Sequence, residues 1–215
     1  MKTPTILFAA FLFSFLTSCQ SVAWMISGLH GFKKPKVETK RSVQRFANKL
    51  GQDTTDLYCL DTVLFNELTE LPFKPGWGSG FRNIQIRTYD KEGLPVMQWA
   101  SCEGLLDELG TFDTVPPRNF YGLNTSLNLQ QDIGRYYTLD GAPANVVVPE
   151  GYDYYILVYF AKYFSRYSKD SFNEVEQWIR SHPELKVKVY KINVDFMDFW
   201  DYDVTINIDR EKPEQ

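Results

Sequence analysis

The chain is short of the residues on which most site chemistry depends, with two histidines and three cysteines among 215 residues. No cysteine lies in a Cys-x-x-Cys pair or at zinc-ligand spacing, which leaves no metal module and no ordinary dithiol motif to read. Positive charge is also in deficit. Lys plus Arg total 23 against 27 for Asp plus Glu, giving a net charge of -4 and a pI near 5.3, so there is no footprint for nucleic acid. A phosphate-cradling loop is missing too, because Gly76-Trp77-Gly78-Ser79-Gly80 lacks the following Lys and the strand-to-helix setting, and reads as a turn. What the chain does have is apolar mass, 44% of its residues, enough to fill a core and exclude disorder. Aromatic residues make up 16%, clustered as in Tyr152-Asp153-Tyr154-Tyr155 and Phe196-Met197-Asp198-Phe199-Trp200, where core packing is the first expectation.

The N-terminus carries a different message. Lys2 precedes the apolar run Ile6 to Phe13, continued by Phe15-Leu16, with the length and charge order of a signal-peptide core. The next residues, Leu16-Thr17-Ser18-Cys19, resemble the lipobox of bacterial lipoproteins. That resemblance implies cleavage before Cys19, lipid on its sulfur, and a domain tethered outside the cytoplasm; Gln20 implies the outer membrane where there is one. The competing reading is an uncleaved anchor extended by Val22-Ala23-Trp24-Met25-Ile26, but Thr17 to Ser21 interrupt the roughly 20 apolar residues that a span requires. Residues 1–18 are thus expected to be the signal peptide and 19–41 a tether containing Lys33-Lys34-Pro35-Lys36. Residues 42–215 form one domain with a weak internal division near 113–150. The membrane, through Cys19, is the expected partner, with an envelope protein as a second.

Within the domain, Val43, Phe46, Ala47 and Leu50 recur at helical spacing and Gly51 supplies a stop. Residues 56–60 suit a short strand, and Val63, Leu64, Leu68 and Leu71 predict a helix ended by Pro72. Ile84, Ile86 and Thr88 alternate with polar neighbours, the run 89–93 has turn chemistry, and 95–99 returns as the second arm of a hairpin. Residues 103–109 suit a short helix, and Leu127, Leu129, Ile133 with Tyr136 or Tyr137 suggest another. Tyr154 to Phe160 is a strand of the kind buried on both faces. Ser171-Phe172-Asn173-Glu174 fits a capping box opening a helix with Phe172, Val175, Trp178 and Ile179 on its apolar face, ended by His182-Pro183. Val187, Val189, Ile192 and Val194 complete a βαβ unit over 154–195.

The segments Ile156 to Phe160, Phe164 to Lys169 and Lys188 to Asp195 resemble the central βαβ of thioredoxin-like proteins, and residues 84–109 resemble the closing hairpin and helix of that family. The resemblance implies an α/β fold, a three-layer arrangement around a mixed sheet. Here the hairpin precedes the βαβ unit, so the fold is permuted or built from two partial units; an unrelated α/β sandwich is the other reading. Ser165 and Ser168 stand where the family carries its redox cysteines, and hydroxyls of ordinary pKa neither transfer electrons nor form a disulfide. The whole arrangement, including Ile26-Ser27-Gly28-Leu29-His30, also looks like lipoproteins of the Bacteroidetes type, a resemblance that supplies no activity.

Cys59 and Cys102 can pair in an oxidising compartment or stay as separate buried thiols. Cys102 near a helix start is a potential nucleophile, but no base adjoins it, and His30 and His182 lie far away in sequence. The acidic residues Asp195, Asp198, Asp201 and Asp203, and the pair Glu67 and Glu70, are interrupted by bulky apolar groups, unlike a calcium loop, and are expected to face water. No cofactor or metal is expected. The leading expectation is a tethered binding or envelope-assembly lipoprotein without redox chemistry, and the alternative is a periplasmic thiol enzyme using Cys102 or Cys59.

Overall fold

Residues 33–69, 84–100 and 127–201 are described in the computed structural model, with side chains 69 and 97–100 left aside. The expected loop at 73–80, the helix at 103–109, and Cys19, His30, Glu70, Cys102 and Asp203 lie outside the described residues. Among the described residues, no helix is long and apolar enough to cross a membrane.

The chain enters along a short strand, β1 (Val37–Glu38), and helix α1 (Lys40–Lys49) follows. Thr39 caps α1 by accepting the Ser42 N–H through its hydroxyl, and Val43 and Ala47 are buried on its inner face. Its end has a Schellman pattern. Gly51, at a φ of 80°, donates its N–H to the Asn48 carbonyl, and the Gln52 N–H reaches back to Ala47, so the stop read from Gly51 has a specific hydrogen-bond basis. The packed body therefore begins before Ser42, taking in residues 33–41 of the expected tether.

Strand β2 (Leu57–Cys59) and helix α2 (Thr62–Thr69) come next. Leu64 and Leu68 are buried as their spacing predicts, whereas Val63 is 65% exposed and does not belong to that face. The hairpin is β3 (Gln85–Asp90) paired antiparallel with β4 (Pro95–Ala100). Its alternation was misleading about burial: Gln85, Arg87 and Tyr89 are as buried as Ile84, Ile86 and Thr88, because β3 lies between two strands and is covered on both faces.

After α3 (Leu129–Ile133), strand β5 (Tyr154–Phe160) leads through a 3-10 turn, Lys162–Phe164, into α4 (Ser165–Ser181), and β6 (Val187–Asn193) and β7 (Phe196–Met197) complete the order. Helix α3 is shorter than its apolar spacing implied; Asn128 and Gln131 form its capping box, and Tyr136 is buried beyond its end. Helix α4 begins six residues before the expected cap. Ser171 is an interior residue of α4, buried with a hydroxyl that has no hydrogen-bond partner, so the capping-box reading of Ser171 and Glu174 is overturned. The helix starts early because the 3-10 turn feeds it directly, and the first N–H of that turn, at Lys162, is held by a carboxylate distant in sequence.

The main sheet has strand order β2-β6-β5-β3-β4. The first three strands are mutually parallel, and β3 runs antiparallel to both β5 and β4. Side chains of β5 alternate between two covered faces. Phe160 meets Phe46 of α1 and Phe172 of α4 at 6.2 and 5.4 Å between ring centres, and Tyr154 meets Trp178, so α1 and α4 cover one face. Tyr159 meets Tyr136, and the Tyr155 hydroxyl donates to the Pro149 carbonyl, so α3 and the segment after it cover the other. The result is a mixed α/β structure with helices on both faces of a five-stranded sheet.

Candidate functional site

Strands β5 and β6 end side by side, with Phe160 opposite Asn193, and the open crevice beyond parallel strand ends is where α/β folds commonly hold ligands. Three pieces of chain meet there. The 3-10 turn and first turn of α4 leave β5; Asn193, Val194 and Asp195 leave β6; and the N-terminal strap crosses in front. The strap is held by the Lys33 N–H donating to the Tyr163 carbonyl at 2.7 Å, by pairing of Val37–Glu38 with Phe196–Met197, and by the Asp198 N–H donating to the Glu38 carbonyl.

Asp195 organises the floor. It is 1% exposed, accepts the Lys162 N–H with both carboxylate oxygens at 2.9 Å, and accepts from Asn193 Nδ2 at 2.8 Å. Burial pushes its carboxyl up to about 7, against the pull of the Asn193 and Lys162 hydrogen bonds. The expectation that Asp195 faces water is therefore overturned; it caps the helical segment from within. Above it, the Lys162 ammonium donates to the Glu38 carboxylate and to Ser42 Oγ, and the Ser42 hydroxyl also donates to Glu38.

Ser165 is the first residue of α4 and lines the crevice half-buried. Ser168, one turn on, is fully buried; its hydroxyl donates to the Ala161 carbonyl at 2.9 Å and accepts the Ala161 N–H at 3.0 Å. The two serines thus lie at the start of the helix that follows β5, and the Ser168 hydroxyl is engaged in holding the strand exit.

The crevice opens into a groove of 910 Å³ with a pronounced charge imbalance. Lys33, Lys34 and Lys36 line it from the strap, and Arg45 and Lys49 from α1. Lys162, Arg166 and Lys169 add three more cations, against Glu38 and Asp195 as the only acidic residues of the lining among the described residues. Among the described residues, Lys33, Arg45, Lys49 and Lys169 have no carboxylate within ion-pair distance, whereas Arg166 approaches only Asp170, at 4.0 Å on the same helix. A net acidic chain concentrates eight cations in one groove. The arrangement can hold anions; among the described residues it has no nucleophile paired to a base.

The other sequence candidates are not brought to this place. Cys59 is a free, fully buried thiol on β2 that donates to the Thr138 carbonyl at 3.2 Å, and burial pushes it well above the usual thiol range, with Asp61 and Asp140 adding to the effect. It is therefore a structural residue. His182 stacks on Trp178 at 4.7 Å and contacts the Trp178 carbonyl through Nδ1 at the end of α4. Glu67 pairs with Arg135, and Asp198 and Asp201 are exposed, while the bulky residues between the acids serve as anchors: Trp200 Nε1 donates to the Leu60 carbonyl and its ring packs on Phe65 and Phe196. Among the described residues, no group of three or more His, Cys, Asp or Glu side chains could hold a metal ion.

One polar constellation had no warning in the sequence reading. On the face of the sheet opposite α1 and α4, Arg87 Nη1 donates to Asp132 at 2.7 Å, and the Tyr89 and Tyr136 hydroxyls donate to the same carboxylate at 2.5 and 3.0 Å. The guanidinium also lies 5.0 Å from the centre of the Tyr159 ring. Burial pushes all three phenols upward, and although burial opposes the Arg87 charge, Asp132 more than restores it. Arg87 and Tyr89 of β3 thus hold Asp132 of α3, and Tyr159 of β5 is hydrogen-bonded to Tyr136 just beyond that helix, so the cluster is a strut between α3 and the sheet. Its only available signal was an Arg inside an apolar strand, which alternation assigns to solvent.

Compared with protein-family models, with curated proteins and with solved structures, the chain shows no significant match.

Proposed function

We propose that this protein is a membrane-tethered, extracytoplasmic binding or envelope-assembly module that works without redox chemistry, built on a permuted thioredoxin-like scaffold and anchored through lipid on Cys19. The scaffold reading is supported by three parallel strands flanked by an antiparallel hairpin, with the hairpin earlier in the chain than the βαβ unit. The observation that carries the functional reading is the strand-end groove itself, where Ser165 and Ser168 occupy the helix start and cations from three elements form the rim. Such a site is suited to binding charge, and serines at the helix start support a role without electron transfer. The thiol-enzyme alternative is left with Cys102, because Cys59 is buried and held as a thiol.

Intact-mass analysis of the protein purified from its own cells, before and after alkylation, tests the proposal. The expected result is a chain beginning at Cys19, carrying lipid, with no rapidly alkylated thiol. An unlipidated chain retaining its N-terminus overturns the tether, and rapid labelling of Cys102 shifts the assignment to a thiol enzyme.

A further inference from the structure

The groove has two properties that together restrict what it can face. Lys33, Arg45, Lys49 and Lys169, without a carboxylate partner among the described residues, are exposed, on long stems, and come from the strap, α1 and α4, so they form a broad rim; among the described residues of the lining, no buried, unsatisfied donor converges on a single point as a pocket for one small anion requires. The two acids in the lining do not offset the rim, since Glu38 is engaged by Lys162 and Ser42, and Asp195 by the Lys162 N–H and Asn193. Its second property is position. The strap that forms one wall is the described segment nearest Cys19: Lys33 follows it by 14 residues, a reach of at most about 50 Å when fully extended.

We infer that the groove is the face by which the domain lies against its membrane, its rim cations meeting the phosphates of anionic lipid headgroups. This rests on the tether reading. The lipid supplies attachment and the groove supplies orientation, because tethering makes each headgroup contact intramolecular and weak contacts then suffice. Each Lys or Arg held close to an anionic surface strengthens the contact about fivefold, and salt weakens it by screening.

The test uses the full protein attached to vesicles of phosphatidylcholine alone or mixed with phosphatidylglycerol, with lysine accessibility read by amine acetylation and mass spectrometry. On the anionic vesicles, labelling of Lys49 and Lys169 is expected to fall about tenfold relative to the neutral ones, while Lys91 and Lys186, exposed and outside the groove, are unchanged. High salt and the double variant Arg45→Ala/Arg166→Ala, which leaves the reporting lysines in place, are each expected to abolish the difference. Equal labelling on the two vesicles or equal protection of Lys91 and Lys186 overturns the inference. So does protection by soluble glycerol phosphate with none from the vesicles, which assigns the groove to a free phosphate ester. A chain found unlipidated by mass defeats the tether alone; a lipidated chain without groove-specific protection defeats the docking alone.

Discussion

Asp195 illustrates how far a residue's environment can depart from its sequence neighbourhood. It lies in an acidic, aromatic stretch that invites a solvated reading, yet it is buried, and its carboxyl holds a proton up to about pH 7, whereas an unfolded carboxyl releases it near 3.8. Folding therefore takes up a proton between these values. The contribution to stability is complete below the lower pKa and is lost as pH rises to the upper one, with a slope of at most about 1.4 kcal/mol per pH unit. Asp195→Asn removes the titration, and urea unfolding between about pH 4 and 7 is expected to show a stability profile flatter than that of the native chain by up to this slope. The same carboxylate could not be assigned from sequence because its partners, Lys162 and Asn193, meet it only when β5 and β6 lie side by side.

At the scale of elements, helix α4 shows where local pattern succeeds and where it misleads. Its apolar face was legible: Phe172, Val175 and Trp178 are buried, and the helix ends before His182. Its start was not, because Ser171 and Glu174 match a capping box in spacing, while the helix in fact opens at Ser165 with no side-chain cap, fed by a 3-10 turn whose first N–H is held by Asp195. The consequence is measurable. In a cap, replacing the serine costs about 1 kcal/mol, but Ser171 is interior, with a buried, unpartnered hydroxyl. Ser171→Ala is accordingly expected to leave stability unchanged or raise it by about 0.5–1 kcal/mol, from helix propensity and the removed polar burden, as read by thermal unfolding. Hairpin β3-β4 has the complementary history: alternation located it, but could not reveal that both faces are covered.

At the scale of the whole molecule, the layers on the two sides of the sheet are joined differently. One is aromatic packing of α1 and α4; the other includes the buried Arg87–Asp132 pair with its three tyrosines. Removing one member leaves an uncompensated buried charge, so Asp132→Ala is expected to cost about 3–5 kcal/mol in urea unfolding. The groove, at the strand ends and framed by α1, α4 and the strap, is expected to keep its charge in any such variant that still folds.

The sequence by itself determined the βαβ unit, the hairpin and the absence of dithiol spacing, all of which are carried by neighbours along the chain: a helical or twofold period, a motif. Tertiary structure alone decided that the strap belongs to the body, that Asp195 caps the 3-10 turn from beyond the end of β6, that Arg87 is buried on Asp132, and that cations scattered between residues 33 and 169 share one groove in an acidic protein. Periodicity reports which face of an element is apolar; it carries no record of which elements end side by side, and that juxtaposition makes both the buried carboxylate and the charged rim.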